Sequence, residues 1–549
     1  MKTHRAPLAL AGLLLLSAAL LISNTSLEHL FGRAPHTLAW GPALFRALLA
    51  LHGMALVLAS RIAREGVPRP ARQPFPYLFL GLLSVLSLAL RLPGLNSCMW
   101  LDEILTMVEY ARPAAARIFT SFPDQNQHML YSLLAHGSMR IFGEQAWSLR
   151  LPSVLFGIAS LWALFLVGRC IVGRKEALLA CALATVSYHH IWFSGNARGY
   201  MGLLFFTCLA TWLWLEALER NRWRLWIGYA VAVALGLWIH MTMLFVVGSH
   251  ALILAVVWWR SGRDPALLRR AAAAFLLCGT LTLQVYALAL PEFFRSAVSE
   301  SSLHSQWTNP LWMLRESVHS LEIAFVAAPV VLCGGFLVAA GWLDILRRQA
   351  RAGWAMVIPA VAGGAAMLAA GHNLWPRFFF FAMGFGLLIV VHGAVLLPRI
   401  LFARWPGLTP ASGRAGYALA GFIILASAAT VPRCYARPKQ DFTGARDYVS
   451  LQQEPGDAVI AIGLAEHAYH EYYAPQWPVA HTPEELAALR QGHARTFLVY
   501  TLPTEIEAYQ PALWQAVQAG YEPVKIFWGS LGGGEVYVCR EKGAPVAAR

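Results

Sequence analysis

Charged residues make up only 13% of this 549-residue chain, so the few that could do chemistry stand out. Asp102 and Glu103 follow Trp100 in Met99-Trp100-Leu101-Asp102-Glu103, a few residues after an apolar run. Such a carboxylate pair could take a proton from a hydroxyl nucleophile or hold a divalent cation. The plainer alternative is a helix start capped by Asp102. Arg150 in Leu149-Arg150-Leu151-Pro152-Ser153, Arg198 in Asn196-Ala197-Arg198-Gly199-Tyr200 and Arg377 in Trp375-Pro376-Arg377-Phe378 each stand at the end of an apolar run. Guanidinium binds phosphate through paired hydrogen bonds, so the set suits a phosphate head group; snorkelling or structural ion pairing is the alternative. His128, His189, His190, His240 and His372 occupy comparable positions. They could ligate a metal or, when protonated, bind phosphate. Without tight ligand spacing, they are taken as the lining of a polar cavity.

The elements that must position these residues are membrane helices. Hydrophobic residues are 58% of the chain, and soluble domains carry about twice the charge seen here, roughly 25%. Apolar runs of span length recur, and a helix of about 20 apolar residues crosses a bilayer, where open sheets would leave unpaired edge groups in hydrocarbon. About 13 spans are expected, near 8–23, 38–60, 75–92, 150–168, 177–193, 200–217, 225–240, 242–259, 271–290, 321–343, 354–371, 377–397 and 415–432. The second carries Arg46 and His52 and is the least apolar in character.

Loop charge sets the orientation. The loops with Arg61 to Arg72, Arg169 to Lys175, Arg220 to Arg224, Arg260 to Arg270, Arg347 to Arg351 and Arg399 to Arg414 all fall on one side of these spans. Basic loops stay cytoplasmic, so this side is inside, provided that His128 to Phe142 lies along the interface and does not cross. Two long outer loops, 93–149 and 291–320, and short outer turns at 189–199 and 372–377 follow. Asp102, Glu103, the three arginines and the five histidines then share the outer side.

The first run, Leu8 to Ile22, resembles a signal peptide, but the following Ser-Asn-Thr-Ser is a poor cleavage site and a retained span is expected. After the last span, residues 433–549 alternate helix and strand signals. Strands are expected at Asp457 to Ile462, Thr496 to Thr501 and Val536 to Cys539, and helices at Ala445 to Gln452, Pro483 to Arg490 and Thr504 to Gln518. A small outer α/β domain is the natural packing. Eight cysteines show no CxxC pair; Cys434 and Cys539 bracket the outer domain and could form a disulfide or remain two thiols. There is no Walker loop, GxSxG elbow or HExxH, and Gly532-Gly533-Gly534 makes a turn. The net charge of +14 lies in short loops, which leaves no basic soluble domain for nucleic acid.

These motifs, in this order, resemble those of the GT-C membrane glycosyltransferases, in the branch of the protein O-mannosyltransferases and the lipid A aminoarabinose transferase. The resemblance covers about residues 75–400. It rests on Trp100-Leu101-Asp102-Glu103, on the block from Asn126 to Ser153 (similar to the family's HPPLYY…FG…RLPS stretch), on Ser194 to Tyr200 and on Pro376-Arg377-Phe378-Phe379. Asp441-Phe442 to Gly456-Asp457 resembles the start of the outer domain in bacterial relatives. After His128 the chain has Met129-Leu130-Tyr131 where the family usually has two prolines before Leu-Tyr. Neither Asp-x-Asp in the outer loops nor Trp-Trp-Asp is present, unlike the oligosaccharyltransferase branch.

The resemblance implies a GT-C-like helical membrane fold. It also implies an enzyme that transfers a hexose or pentose, typically with inversion, from a polyprenyl-phosphate donor to an acceptor glycan, lipid or protein outside the cytoplasm. Asp102 would be the base for the acceptor hydroxyl and Glu103 its partner; Arg198, Arg377 and His128 would face the donor phosphate. Arg150, Tyr200, His189, His190, His240 and His372 would support them. A divalent metal is left open. The division implied is 1–74 (two additional helices and a basic loop), 75–432 (the catalytic module) and 433–549 (the soluble domain), in the inner membrane of a bacterium with the N-terminus inside and the last domain periplasmic. A lipid-diphosphate-dependent polysaccharide ligase or polymerase, which would need the arginines more than Asp102, and a flippase or transporter are the competing functions.

Overall fold

The structure, a computed structural model, describes residues 5–61, 75–124, 126–260, 262–297, 308–325, 328–403 and 409–543. The expected spans fall on helices, those at 177–193 and 321–343 each across two, Arg174–Val186 with Tyr188–Ser194 and Pro310–Phe325 with Ala328–Arg348. Eight of the described helices are long and apolar enough to cross a membrane, and up to ten if each of two bent pairs, Ala6–Leu21 with Asn24–Leu30 and Arg174–Val186 with Tyr188–Ser194, is one span. Tyr77–Ala89 and Trp223–Ile239 are shorter apolar helices. Large apolar side chains face outward along the periphery, with Leu78 at 78% and Leu20 at 75% exposure, as a hydrocarbon surround requires.

Tyr200–Arg220 is the central helix, packed between Ala146–Ile171 and Trp223–Ile239. Glycines let these helices close on one another: a Cβ on Gly202 would lie 2.1 Å from Ile239 Cδ1, and one on Gly236 would lie 2.9 Å from Met243 Cγ. Small residues serve this purpose between membrane helices, where no hydrophobic force draws helices together. The N-terminal helices Arg5–Leu21 and Gly41–Arg61 cross the same way at Gly12 and Gly53. Arg46 is accommodated in its span because its guanidinium donates to the Ala19 carbonyl at 3.0 Å and to Asn24 Oδ1 at 2.9 Å.

The long loop over 93–149 contains the elements that matter for the site. A short helix, Leu101–Leu105, runs into a π-helical turn, Thr106–Ala111, and the loop ends in the helix Met129–Phe142. That last helix has 14 residues and spans roughly 21 Å at 1.5 Å per residue, short of the bilayer core of about 30 Å. It packs against Ala146–Ile171 and the π-turn.

The C-terminal domain is a five-stranded sheet in the order β2-β1-β3-β5-β4, with β1 Ala458–Ile462, β2 Val479–Ala480, β3 Thr496–Thr501, β4 Tyr521–Phe527 and β5 Val536–Glu541. β2, β1 and β3 are parallel; β5 is antiparallel to both β3 and β4. β1 and β3 are buried along their whole length, because strand alternation sends side chains to two covered faces. Val459, Ala461, Phe497 and Val499 join the same apolar cluster as Met99 and Leu101, while Ile460, Ile462, Leu498 and Cys539 pack on Leu486, Leu513 and Val517. One sheet face is therefore docked on the loop that carries Met99 and Leu101.

The structure adds two strands, splits one expected helix and decides between the two readings of the cysteines. β2 and β4 were not legible: β2 has two residues, and Glu522, Pro523 and Lys525 break the apolar pattern of β4. The helix expected over 504–518 is two, Pro503–Tyr509 and Pro511–Gly520, since Pro511 cannot donate within a helix. All eight cysteines are free. Cys434 turns its thiol to the Tyr188 carbonyl at 3.6 Å, whereas Cys539 lies on β5 opposite Leu498, so the two belong to different cores and no disulfide joins them.

Candidate active site

The two adjacent carboxylates are built into different surroundings. Glu103 is completely buried. Its carboxylate accepts from Arg150 Nε at 2.7 Å and Nη2 at 2.5 Å, and from the Ala197 amide at 2.8 Å, with Lys439 Nζ at 3.3 Å. Burial alone would raise its pKa, but Arg150 and Lys439 hold it at about 2. Arg150 also donates to the carbonyls of Leu95 and Ser97 at 2.9 Å and Cys98 at 3.1 Å. The Arg150–Glu103 pair is thus a clasp that fixes the loop ahead of Asp102. This corrects the pairing of Glu103 with Asp102 as a second reacting carboxylate: all its lone-pair directions are already used.

Asp102 points the other way. Its Oδ2 lies 3.4 Å from Arg377 Nη1 and 3.9 Å from Arg198 Nη2, and it accepts no hydrogen bond. Arg198 is buried, donating to Thr106 Oγ1 at 3.2 Å and Asn126 Oδ1 at 2.8 Å, and its Nε has no partner. Arg377 packs its guanidinium over Trp375 at 5.1 Å and Trp100 at 6.0 Å, with its Nε also unpartnered. The turn carrying Arg198 is held by Ser153 Oγ, which donates at 2.6 Å to the Asn196 carbonyl, and by Trp100 Nε1, which donates at 3.1 Å to Asn196 Oδ1. Gly199 follows because no side chain fits: its Cβ would sit 2.4 Å from the Ile239 carbonyl.

A cavity of about 200 Å³ adjoins the two arginines, lined by Arg198, Arg377, Tyr200, His128, His240 and His372 with Asp124, Asn126, Asn373, Trp375 and Phe378; Asp102 meets the arginines but is not part of the lining. His128 and His240 face each other, ring centroids 4.7 Å apart. Nδ1 of His128 donates to the Ile239 carbonyl at 3.1 Å, which leaves Nε2 as an unpartnered lone pair. Burial and the nearby Arg198 push the His128 pKa well below its usual range. A neutral imidazole presenting a lone pair accepts a hydrogen bond, so His128 suits a sugar hydroxyl and not the phosphate contact expected of it. On His240 the Thr242 amide and hydroxyl lie 3.3 and 2.9 Å from Nδ1. Nδ1 therefore accepts, and Nε2–H is a donor without a protein partner.

His190 and His189 lie elsewhere. His190 accepts from Arg91 at 2.5 Å and hydrogen-bonds Ser160 at 3.0 Å, and His189 packs on Tyr188. Both sit on the Tyr188–Ser194 helix, away from the cavity lining. Asp124 and Asn126 were not singled out from sequence. Asp124 accepts the Tyr110 hydroxyl on both oxygens at 2.7 Å and the Asn126 amide at 2.7 Å, orienting Asn126 toward Arg198. A carboxylate two residues before the Asn126 block was the available signal. Lys439, Gln440 and Tyr473 of the C-terminal segment were also missed; Gln440 accepts the Leu101 amide at 2.9 Å and Tyr473 accepts the Met99 amide at 2.8 Å.

For a divalent cation the fit is poor. Two guanidinium groups flank Asp102, and among the described residues no three His, Cys, Asp or Glu converge to hold a metal.

Residues 126–284 match the family model described as dolichyl-phosphate-mannose-protein mannosyltransferase. The match contains His128, Arg150, Arg198 and His240 and leaves Asp102 and Arg377 outside it. Among solved structures, an oligosaccharyltransferase from Archaeoglobus fulgidus in complex with Zn and sulfate is similar with a TM-score of 0.50 and 13% identity, over 82% of this chain and 72% of that one. ArnT from Cupriavidus metallidurans bound to undecaprenyl phosphate gives 0.46 and 15% over 86% and 100%. The arabinosyltransferase EmbB from Mycobacterium smegmatis gives 0.45 and 16% over 72% and 45%. No curated protein sequence matches the chain. The family match over residues 126–284 and the shared fold bear out the resemblance to GT-C membrane glycosyltransferases.

Proposed function

We propose that this chain transfers a sugar from a polyprenyl-phosphate donor to an acceptor hydroxyl, with inversion, at the extracytoplasmic end of its helices. The observation that carries the proposal is the meeting of Asp102 with Arg198 and Arg377 beside one cavity. The description of the matching family, a dolichyl-phosphate-mannose enzyme, supports a lipid monophosphate as the carrier. The pattern of basic loops supports a bacterial inner-membrane protein with a cytoplasmic N-terminus and a periplasmic last domain. The division at 1–74, 75–432 and 433–549 goes with that reading, as does an acceptor glycan, lipid or protein.

In this mechanism the donor phosphate takes Arg198 and Arg377 as its counter-ions, a stronger and bidentate match than the single Asp102 oxygen. Asp102 is thereby released from them. The acceptor hydroxyl gives its proton to the Asp102 carboxylate as its oxygen attacks the anomeric carbon from the face opposite the phosphate. The bond between that carbon and the phosphate oxygen breaks, and the electron pair leaves with the lipid phosphate. The two guanidinium groups stabilise the charge that develops there. His240 Nε2–H and the His128 Nε2 lone pair are placed to hold sugar hydroxyls. The chemistry needs a phosphate site at the membrane surface because the leaving group stays anchored in lipid.

The test is transfer of radiolabelled sugar from a synthetic polyprenyl-phosphate donor into product by the purified protein in detergent. Asp102→Asn should lower the rate by about two to four orders of magnitude, the usual contribution of a general base. A variant that keeps most of its rate would remove Asp102 as base and favour the lipid-diphosphate ligase. Product formation by no form of the protein would favour transport.

A further inference from the structure

We infer that a second cavity, at the same end of the helices, is a binding site for a phosphate-bearing headgroup, built on Arg91, Arg437 and Lys439 and separate from the donor pocket. This does not rest on the donor reading. The cavity encloses about 370 Å³ between the end of the Tyr77–Ala89 helix, the Tyr188–Ser194 helix and the segment entering the C-terminal domain.

Arg91 carries the inference. It is only 2% exposed and lines the cavity. Its Nη atoms donate to the Ser87 carbonyl at 2.7 Å and to His190 Nδ1 at 2.5 Å, and its Nε has no partner. All of these partners are neutral: His190 Nδ1 accepts from the guanidinium and so carries no proton. Among the described residues no carboxylate forms an ion pair with Arg91. A buried charge without a counter-ion is costly, and an anion in the cavity would supply one.

The remaining lining has the same sign. Arg437 is exposed at the cavity, and Lys439 forms part of its wall. Lys439 donates to the Gly195 carbonyl and lies 3.3 Å from Glu103. The one carboxylate in the lining, Asp441, caps the Phe442–Gln452 helix by accepting the Gly444 amide at 2.9 Å. Guanidinium and ammonium groups gathered in this way suit phosphate oxygens. The donor pocket is distinct, because Trp192 and Trp100, with ring centroids 6.1 Å apart, stand between the two: Lys439 lies over the first at 5.1 Å and Arg377 over the second at 6.0 Å.

A lipid is the better source of the phosphate. Leu92, beside Arg91, is 56% exposed, and Leu82, Val85 and Leu86 continue an apolar surface along the adjoining helix. Acyl chains could lie on that surface while the headgroup enters.

The experiment measures binding of dioctanoyl phosphatidic acid and of inorganic phosphate to the full-length protein in neutral detergent by titration calorimetry. Phosphatidic acid should bind, and Arg91→Gln and Arg437→Glu should each weaken it roughly tenfold or more, as loss of a charge-assisted hydrogen bond does. Arg198→Ala, which alters the donor pocket, should leave it unchanged. Arg437 is exposed, so its variant tests the site even if Arg91→Gln does not fold. Inorganic phosphate binding equally well, with the same dependence on Arg91 and Arg437, would support the site and assign it to free phosphate. Binding that survives the Arg437 and Arg91 substitutions, that is lost in Arg198→Ala, or that is absent for both probes would overturn the proposal.

Discussion

Replacing Glu103 by Gln removes the charge from a wholly buried, ion-paired carboxylate while nearly conserving its volume. The carboxylate faces Arg150 through two hydrogen bonds, with Ala197 N and Lys439 around it, and is wholly buried. Breaking a buried ion pair from one side typically costs about 3–5 kcal/mol. The carboxyl is depressed from 4.5 to about 2, against a burial effect that would raise it; at about 1.36 kcal/mol per pH unit this corresponds to roughly 3 kcal/mol. The two routes agree. Because the folded-state pKa lies below the unfolded value, this stabilisation is complete above about pH 4.5 and is lost as the pH falls toward 2.

Thermal denaturation of the detergent-solubilised protein should therefore show Glu103→Gln melting well below wild type at pH 7. The difference should narrow as the pH drops toward 2. Transfer activity should fall as well, because the clasp fixes the loop ahead of Asp102 and holds the Ala197 amide next to Arg198. The double variant Glu103→Met with Arg150→Met should be more stable than Glu103→Gln, since it removes both charges together. A Glu103→Gln protein with wild-type melting at pH 7 and the same acid dependence would refute the clasp.

Arg198→Ala and Arg377→Ala should each reduce kcat/KM for the donor by roughly a hundredfold or more, the scale for losing one electrostatic stabiliser; initial rates over a donor titration check this, and wild-type kinetics in both would remove them from the site. Gly199→Ala should lower both stability and transfer, by about 1–3 kcal/mol for overpacking, since its Cβ would meet the Ile239 carbonyl at 2.4 Å and displace His240 beyond it; melting and rate measurements on the one variant test both effects.

The chain alone determined the helical membrane architecture, because a span is a local property: a run of apolar residues of bilayer length suffices, whatever surrounds it. It also determined strands β1, β3 and β5, which short runs of β-branched and aromatic residues mark, and it marked Asp102, Arg198 and Arg377 because uncompensated charge at span ends is rare. Tertiary structure decided what local pattern does not carry. Neighbours on a helix point about 100° apart, so Asp102 reaches the arginine pair while Glu103 reaches Arg150 and Lys439. Five histidines looked alike in sequence, yet packing brought His128, His240 and His372 to the cavity and put His189 and His190 elsewhere. Lys439 and Tyr473 meet Glu103 and Met99 from more than 300 positions away, and no local signal announces such a contact. Hydropathy and motif depend on near neighbours along the chain; the direction of a side chain and its partners depend on elements that meet only when the chain has folded.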